Sequence, residues 1–261
     1  MKICMAGAMG RMGRRILELA SQDPDTAIGG AFDRPEFAGQ TLALGEGNIV
    51  TVAKDAASAL AGSDVLIDFT IASACLENVK AAMDAGKAAV VGTTGLTEDD
   101  RVALNTLAAS APIVFAPNMS VGVNLLFKVA RDVAEKLGLD YNAEITEIHH
   151  NQKVDSPSGT AIRLAERVAE GLGLQYPSEV VFGREGMVGK RPVREIGVHA
   201  IRGGDVVGEH TVAFFGNGER VELTHKAHNR DNFARGAIRA AKFAATAKPG
   251  LYDMQDVLGL K

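Results

Sequence analysis

The chain has 261 residues, 46% of them hydrophobic, which suits roughly two domains with real cores. Its 28 basic and 32 acidic residues leave a net charge of −4, which excludes the broad positive footprint that nucleic acid or an anionic membrane surface demands. The start reaches glycine by position 7 without an apolar signal core, and there is no apolar run of about 18 residues, so a cytoplasmic chain with no membrane span is expected. Cys4 and Cys75, with no Cys-x-x-Cys spacing, read as reduced buried thiols rather than a disulfide or a metal set.

Residues 2–6 read as a short buried strand, and Met12, Ile16, Leu19 and Ala20 mark one face of a helix over 11–21. Between them lies a Gly-x-x-Gly-x-x-Gly turn, Gly7-Ala8-Met9-Gly10-Arg11-Met12-Gly13. The first glycine permits a tight turn, and the second lets backbone approach a pyrophosphate at the positive helix end. The spacing departs from the commoner Gly-x-Gly-x-x-Gly, and the strand–turn–helix context is what gives it weight. Asp33 follows a second strand run at 27–32, where a carboxylate can accept from the ribose hydroxyls of a dinucleotide. Arg34 beside it suits a 2′-phosphate instead, so NADH and NADPH both stay open. The plain alternative is a glycine turn that only closes a helix onto a sheet, with Asp33-Arg34 a solvated pair.

Further strand runs lie at 49–52, 65–69, 88–91 and 113–116, with helical patterns at 56–61, 73–85 and 98–109. Alternating strand and helix with continuously apolar strands predicts a parallel sheet covered on both faces, a doubly wound, Rossmann-like α/β domain over 1–120. Ligands of such sheets bind outside the C-terminal strand ends. Two loops fall there. Gly92-Thr93-Thr94-Gly95 is small enough for a nicotinamide ribose to lie against backbone. Ala116-Pro117-Asn118-Met119 is also the expected hinge between domains. Ordinary βα turn chemistry is the alternative for both.

The rhythm then changes. A long helix is expected over 121–137, a strand over 143–150 and a helix over 160–172. Three β-like runs follow between 194 and 226, broken at Arg202-Gly203-Gly204-Asp205 and at Gly216-Asn217-Gly218, the second a hairpin signal. Successive strands predict a separate α+β domain over 121–230 with a mixed or antiparallel sheet. Residues 182–191 are glycine-rich and charged and read as an exposed loop. A helix over 231–246, apolar at Phe233, Ala237, Ala240, Ala241 and Ala244, opens a C-terminal stretch of about 231–261 that is expected to return to the first domain.

The densest chemistry runs from Glu147 to Thr160. A strand over 143–150 puts His150 on the face of Thr146 and Ile148 and His149 on the other, and alternation alone does not choose between them. Histidine is the usual general acid near neutral pH. Lys153 suits an anion or a developing negative centre, with Asp155 to orient or balance it. Ser158 reads as an N-cap, and the N–H groups of Gly159 and Thr160 suit a carboxylate. Proton donors beside an anion cradle, joined to a dinucleotide turn, point to reduction of a small acidic substrate. The alternative is a packed His-His pair beside an ordinary helix cap. No metal is expected, since His149, His150 and Glu147 lack a His-x-x-x-His or cysteine partner. His199, His210, His225 and His228 read as structural.

Glu147-Ile148-His149-His150, followed by Lys153-Val154-Asp155-Ser156-Pro157-Ser158-Gly159-Thr160-Ala161, resembles the signature of the bacterial dihydrodipicolinate reductases, or 4-hydroxy-tetrahydrodipicolinate reductases. Segments 7–13, 92–95, 116–121 and 197–210 are similar to that family too, so the resemblance spans nearly the whole length. It implies an oxidoreductase of the diaminopimelate route to lysine. NADH or NADPH would deliver hydride to a cyclic dicarboxylate, (2S,4S)-4-hydroxy-2,3,4,5-tetrahydrodipicolinate, giving tetrahydrodipicolinate with loss of water. It implies that His149 donates or accepts the proton, that Lys153 is a second donor, that His150 contacts substrate, and that Gly159 and Thr160 hold a carboxylate. Cofactor binding is implied for Gly7, Ala8, Met9, Gly10, Arg11, Met12, Asp33, Arg34, Gly92, Thr93, Thr94, Ala116, Pro117, Asn118 and Met119. A homotetramer assembled through the sheet of the second domain is implied as well. Asp33 departs from the glutamate that precedes arginine in several members; it is one methylene shorter, which bears on the balance between NADH and NADPH. Two other readings are a different two-domain NAD(P) reductase, such as an aspartate dehydrogenase-like protein, and a non-enzymatic dinucleotide-binding regulator. The second leaves the His-His, Lys and Ser-Gly-Thr set without a task.

Overall fold

A computed structural model describes residues 1–45 and 47–261, which form two compact units, Met1–Val121 with Asp231–Lys261, and Gly122–Arg230. The first unit runs β1 (Lys2–Ala6), α1 (Arg11–Gln22), β2 (Ala27–Phe32), β3 (Thr41–Ala43), β4 (Ile49–Thr51), α2 (Ala56–Leu60), β5 (Val65–Asp68), α3 (Ala72–Asp84), β6 (Ala88–Val91), α4 (Glu98–Leu107) and β7 (Pro112–Phe115). The second follows with α5 (Val121–Leu137), β8 (Asn142–His149), α6 (Gly159–Leu172), β9 (Val180–Phe182), β10 (Ile196–Arg202), β11 (Gly208–Phe215) and β12 (Arg220–Ala227). The chain then returns to the first unit as α7 (Asp231–Ala244), β13 (Gly250–Tyr252) and α8 (Met254–Leu258).

Six strands of the first unit pair in the order β13-β7-β6-β5-β1-β2, every neighbour parallel. β5 and β6 are buried from end to end, as a sheet covered on both faces requires. Ile3, Met5, Ile67 and Val90 pack with Ile16 and Leu17 of α1 and Ala237 and Ala241 of α7; Cys4, Leu66 and Val91 pack with Leu60, Val79 and Leu104 of α2, α3 and α4. The two cysteines are free and buried, and burial pushes both thiols up, Cys4 to about 12, so neither is a thiolate at neutral pH. Strand order reverses between β1 and β5, the switch point at which such sheets bind ligands. Gly7 stands there with φ +78°, so close to β5 that a Cβ would meet the Phe69 carbonyl oxygen at 2.9 Å.

The run at 49–52 does not belong to this sheet. β4 pairs antiparallel with β3, a strand the sequence reading does not anticipate, in a separate hairpin. Its exposed Ile49 and Thr51 explain why: three residues, wet on one face, cannot serve as a strand buried on both.

The second unit has a mixed sheet ordered β12-β11-β8-β10-β9. α5 and α6 cover one face, where Phe127, Ala130, Leu164 and Val168 pack on Ala143, Ile145, Val198, Val212 and Phe214. The uncovered face carries Glu144, Thr146, His199 and Thr211, with Ile201 48% and Phe215 39% exposed. Gly216-Asn217-Gly218 closes the β11–β12 hairpin as expected. Arg202-Gly203-Gly204-Asp205 does not close one. β10 and β11 both pair with β8, on opposite sides, β10 parallel and β11 antiparallel. Their connection arches over the end of β8. Gly203 N–H donates to the His149 carbonyl at 2.9 Å, His150 N–H to the Val206 carbonyl at 2.8 Å, and Asn151 N–H to the Gly204 carbonyl at 3.2 Å. The arch thereby places Arg202 and His210 on either side of the β8 terminus.

Candidate active site

β8 alternates cleanly, with Ala143, Ile145, Glu147 and His149 buried toward the helices. Glu147 and His149 therefore share a face, and His150 lies just beyond the strand, half-buried. Glu147 is 0% exposed, and its Oε2 lies 2.5 Å from His149 Nδ1. Arg202 closes on the same carboxylate as a fork, Nη1 donating to Oε2 at 2.9 Å and Nη2 to Oε1 at 2.8 Å. Oε1 also accepts the Ser158 N–H at 2.9 Å. Burial raises a carboxyl, but Arg202, His149 and the Ser158 amide outweigh it and hold Glu147 below the usual carboxylate range. Burial also disfavours charge on His149. Glu147 pulls the other way without overcoming it, and Lys153 and Arg202 add to the depression, so the ring is neutral at pH 7.

His210 of β11 meets the His149 ring edge-on, centroids 5.2 Å apart, with its Nε2 3.1 Å from Ser158 Oγ. Burial, with His149 alongside, holds His210 down to about 3, so it too is neutral. Ser158 caps α6 as expected, its Oγ accepting the Ala161 N–H at 3.2 Å. Gly159 and Thr160 open the helix, whose first turn has no acidic residue, so the dipole leaves its positive end unopposed there. Lys153 Nζ donates to Asp155 Oδ1 at 2.8 Å, and Arg202 Nη2 donates to the Asp155 carbonyl at 2.8 Å. His149, Lys153 and Ser158, the residue before Gly159 and Thr160, thus join one hydrogen-bonded frame at the end of β8.

Three members of that frame escape the sequence reading. Glu147 and Arg202 receive no role there, and His210 reads as structural. Parity with His149 on one strand is the signal that finds Glu147; Arg202 and His210 need the strand order. No group of three or more His, Cys, Asp or Glu side chains is placed to hold a metal ion among the described residues.

In the first unit, the turn after β1 is tight. Gly7 and Ala8 N–H donate to the Phe32 carbonyl, and Gly10 N–H to the Gly7 carbonyl. A Cβ on Gly13 would fall 2.1 Å from the Gly7 carbonyl oxygen. Neither a capping side chain nor an acidic residue stands at the first turn of α1, so Arg11 and Met12 begin a helix whose positive end fits a pyrophosphate. Asp33 braces the turn, Oδ2 accepting the Met9 N–H at 2.7 Å and Oδ1 the Arg34 N–H at 2.8 Å. Each oxygen keeps a lone pair for a ribose hydroxyl. Arg34 pairs with Glu36 at 3.0 Å and lies over Phe37.

A Cβ on Gly92 would strike the Phe69 ring at 2.2 Å. Thr93 turns inward, its hydroxyl donating to the fully buried Asp68 at 2.6 Å, where Thr70 and Asn78 also donate; Thr94 is exposed. Thr93 therefore shapes the strand ends, and its backbone is what remains for a ligand. Ala116 and Met119 are buried, Pro117 is exposed, and Asn118 Oδ1 accepts the Ser120 N–H at 2.9 Å.

Two family models match the chain: "Dihydrodipicolinate reductase, N-terminus" over residues 1–119, and "Dihydrodipicolinate reductase, C-terminus" over residues 122–258. The 4-hydroxy-tetrahydrodipicolinate reductase of Geotalea uraniireducens (strain Rf4) is 50% identical over 266 aligned positions, covering 100% of this chain and 99% of the relative. That of Geobacter sulfurreducens is 49% identical over 265 positions with the same coverage. Among solved structures, a dipicolinate-bound dihydrodipicolinate reductase from Paenisporosarcina sp. TG-14 shares the fold, with a TM-score of 0.79 at 23% identity and 98% of each chain covered.

Proposed function

This chain belongs to the dihydrodipicolinate reductase family, and from that membership we propose how its own residues divide the reaction. The activity is reduction of 4-hydroxy-tetrahydrodipicolinate to tetrahydrodipicolinate with loss of water, in lysine biosynthesis through diaminopimelate, with NADH or NADPH as cofactor. The bound nicotinamide supplies the hydride. Backbone from Gly7, Ala8, Met9, Gly10, Arg11 and Met12 holds its pyrophosphate, and Asp33 and Arg34 meet the adenosine ribose. Gly92, Thr93 and Thr94, with Ala116, Pro117, Asn118 and Met119, line the nicotinamide end. Residues 1–120 with about 231–261 make up the cofactor domain, and 121–230 the substrate and assembly domain.

On the substrate side, Gly159 and Thr160 hold one carboxylate at the start of α6, and His150 contacts the ring. His149 is the proton donor and Lys153 the second. His149 is neutral in the free protein, and a bound dianion favours its imidazolium form, so the proton arrives with the substrate. The observation that supports this reading most is that a buried carboxylate, Glu147, joins His149 to the Ser158 cap. The test is turnover of 4-hydroxy-tetrahydrodipicolinate, followed as NADH and NADPH consumption. His149→Ala and Lys153→Ala each lower kcat by about 10²–10⁴-fold with the cofactor dissociation constant unchanged. Wild-type turnover in both variants sinks the assignment.

Four copies assemble through the uncovered sheet face, a reading supported by exposed Ile201 and Phe215 there, and the protein works in the cytoplasm. Sedimentation equilibrium checks the assembly, which fails if the full chain is a monomer at micromolar concentration.

A further inference from the structure

We infer that Glu147 is a positioning residue that holds His149 in the tautomer protonated at Nδ1 and fixes it against the start of α6, with Arg202 as the counter-charge that keeps Glu147 ionised. The inference rests on the reading of His149 as proton donor and deepens it. A buried carboxylate accepts only, so the contact with Nδ1 has one chemically sensible form, Nδ1–H donating to Oε2. The ring then turns its other nitrogen, Nε2, away from the carboxylate, as the atom that exchanges a proton with substrate. Second groups commonly set which histidine nitrogen carries the proton.

The surroundings of Nε2 fit that task. Gly208 lies against it, and a Cβ there would come within 3.0 Å of Nε2. The other carboxylate oxygen reaches the Ser158 N–H, so one group spans the proton donor and the carboxylate cradle. His210 ties Ser158 from the other side and stays neutral, which keeps a second positive charge off the donor. Arg202 extends the frame to the Asp155 carbonyl, beside Lys153. Three chain segments, the end of β8, the loop to α6 and the start of α6, are thus keyed to one Glu–Arg pair. The charged and titratable groups that bear on His149 are Glu147, Lys153, Arg202 and His210.

The tautomer is measured directly by ring-nitrogen NMR on the full protein labelled at histidine, with NADH bound. His149 is expected with Nδ1 protonated and Nε2 bare in its neutral form. An Nε2-protonated His149 overturns the inference, with no variant needed. In Glu147→Gln, kcat falls about 10²-fold, the Nδ1–H preference is lost, and the pH at which kcat/KM declines moves down, because the anion that favours imidazolium is gone. Affinity for dipicolinate, the probe for the cradle, weakens only severalfold. A folded Glu147→Gln with the wild-type tautomer and pH profile also overturns the inference, even if its melting temperature drops. His149→Ala separates the two levels. Full activity there defeats the proton-donor reading itself, whereas an inactive His149→Ala beside an unperturbed Glu147→Gln defeats only the positioning role.

Discussion

Glu144 and Glu147 stand three residues apart on β8 and face opposite sides of its sheet. Each meets arginine and histidine. On the uncovered face, Glu144 accepts from Arg184 at 3.0 and 2.8 Å, from Arg191 Nε at 2.8 Å, and lies 2.8 Å from His199 Nε2. On the helix face, Glu147 accepts from Arg202, His149 and the Ser158 amide. What hangs on each differs. Glu144 pins both ends of the 182–191 loop, whose tip is exposed as the sequence suggests, whereas Glu147 holds the proposed proton donor and the cap of α6. Glu144 has two arginines and a histidine and a side chain 17% exposed; Glu147 has one arginine and a side chain 0% exposed. The same ion-pair chemistry serves as a loop clamp on one face of the sheet and as a positioning device on the other.

Removing an arginine from each side should break the comparison most sharply. Arg202→Ala strands a buried carboxylate with no counter-charge, which costs about 3–5 kcal/mol. Arg184→Ala leaves Arg191 and His199 on Glu144 but takes the 2.6 Å partner from Glu195, and its cost is about 1–2 kcal/mol. Urea denaturation measures both. Equal losses would mean that Glu147 is not the more dependent carboxylate.

Two glycines sharpen the contrast with a smaller effect. A Cβ on Gly197 would fall 1.8 Å from Glu144 Oε2, and one on Gly208 lies 3.0 Å from His149 Nε2. Gly197→Ala must push the Glu144 carboxylate off its partners, so stability drops by about 1–3 kcal/mol while kcat/KM stays within about twofold. Gly208→Ala crowds the working nitrogen and adds strain at a φ of +157°, so kcat/KM falls about 10-fold with a stability loss of about 1–3 kcal/mol. Denaturation and steady-state kinetics on the same samples decide it, and a Gly208→Ala enzyme with wild-type kinetics counts against Nε2 as the reacting atom.

Much of this architecture is legible in the order of residues alone. β1, β2 and β6 start and stop where the strand runs do, and β6 shows the reason most plainly, since a strand buried on both faces must be apolar throughout. His149, Lys153 and the Ser158 cap are found because they are neighbours in the chain. What stays hidden is pairing. The runs on either side of the Gly203-Gly204 break read as successive strands, and only the packed sheet shows that β8 lies between them. Arg202 and His210 are 55 and 63 positions from Glu147, and no local pattern links them. The choice of His149 over His150 rests on family resemblance in the sequence; that His149 and not His150 shares a face with Glu147 shows only in the structure.

Acid titrates the Glu144 side of the comparison by itself when wild type is set against Glu144→Gln. The partners of Glu144 overcome burial and hold its carboxyl at about 2, against 4.5 for an ordinary glutamate. Depression of a carboxyl stabilises the fold above its unfolded value, and the contribution is lost as pH falls toward the folded one. Wild type should therefore exceed Glu144→Gln by about 1–3 kcal/mol at pH 6, and the gap should close between about pH 4.5 and pH 2. Glu147 is also held low, so the wild type loses both contributions in acid, and only the difference against Glu144→Gln isolates the clamp. Denaturation of the two proteins at stepped pH measures it. A gap that stays constant through that window would mean the arginines and His199 hold the 182–191 loop by shape and backbone bonds, and that Glu144, unlike Glu147, is not the charge on which its region depends.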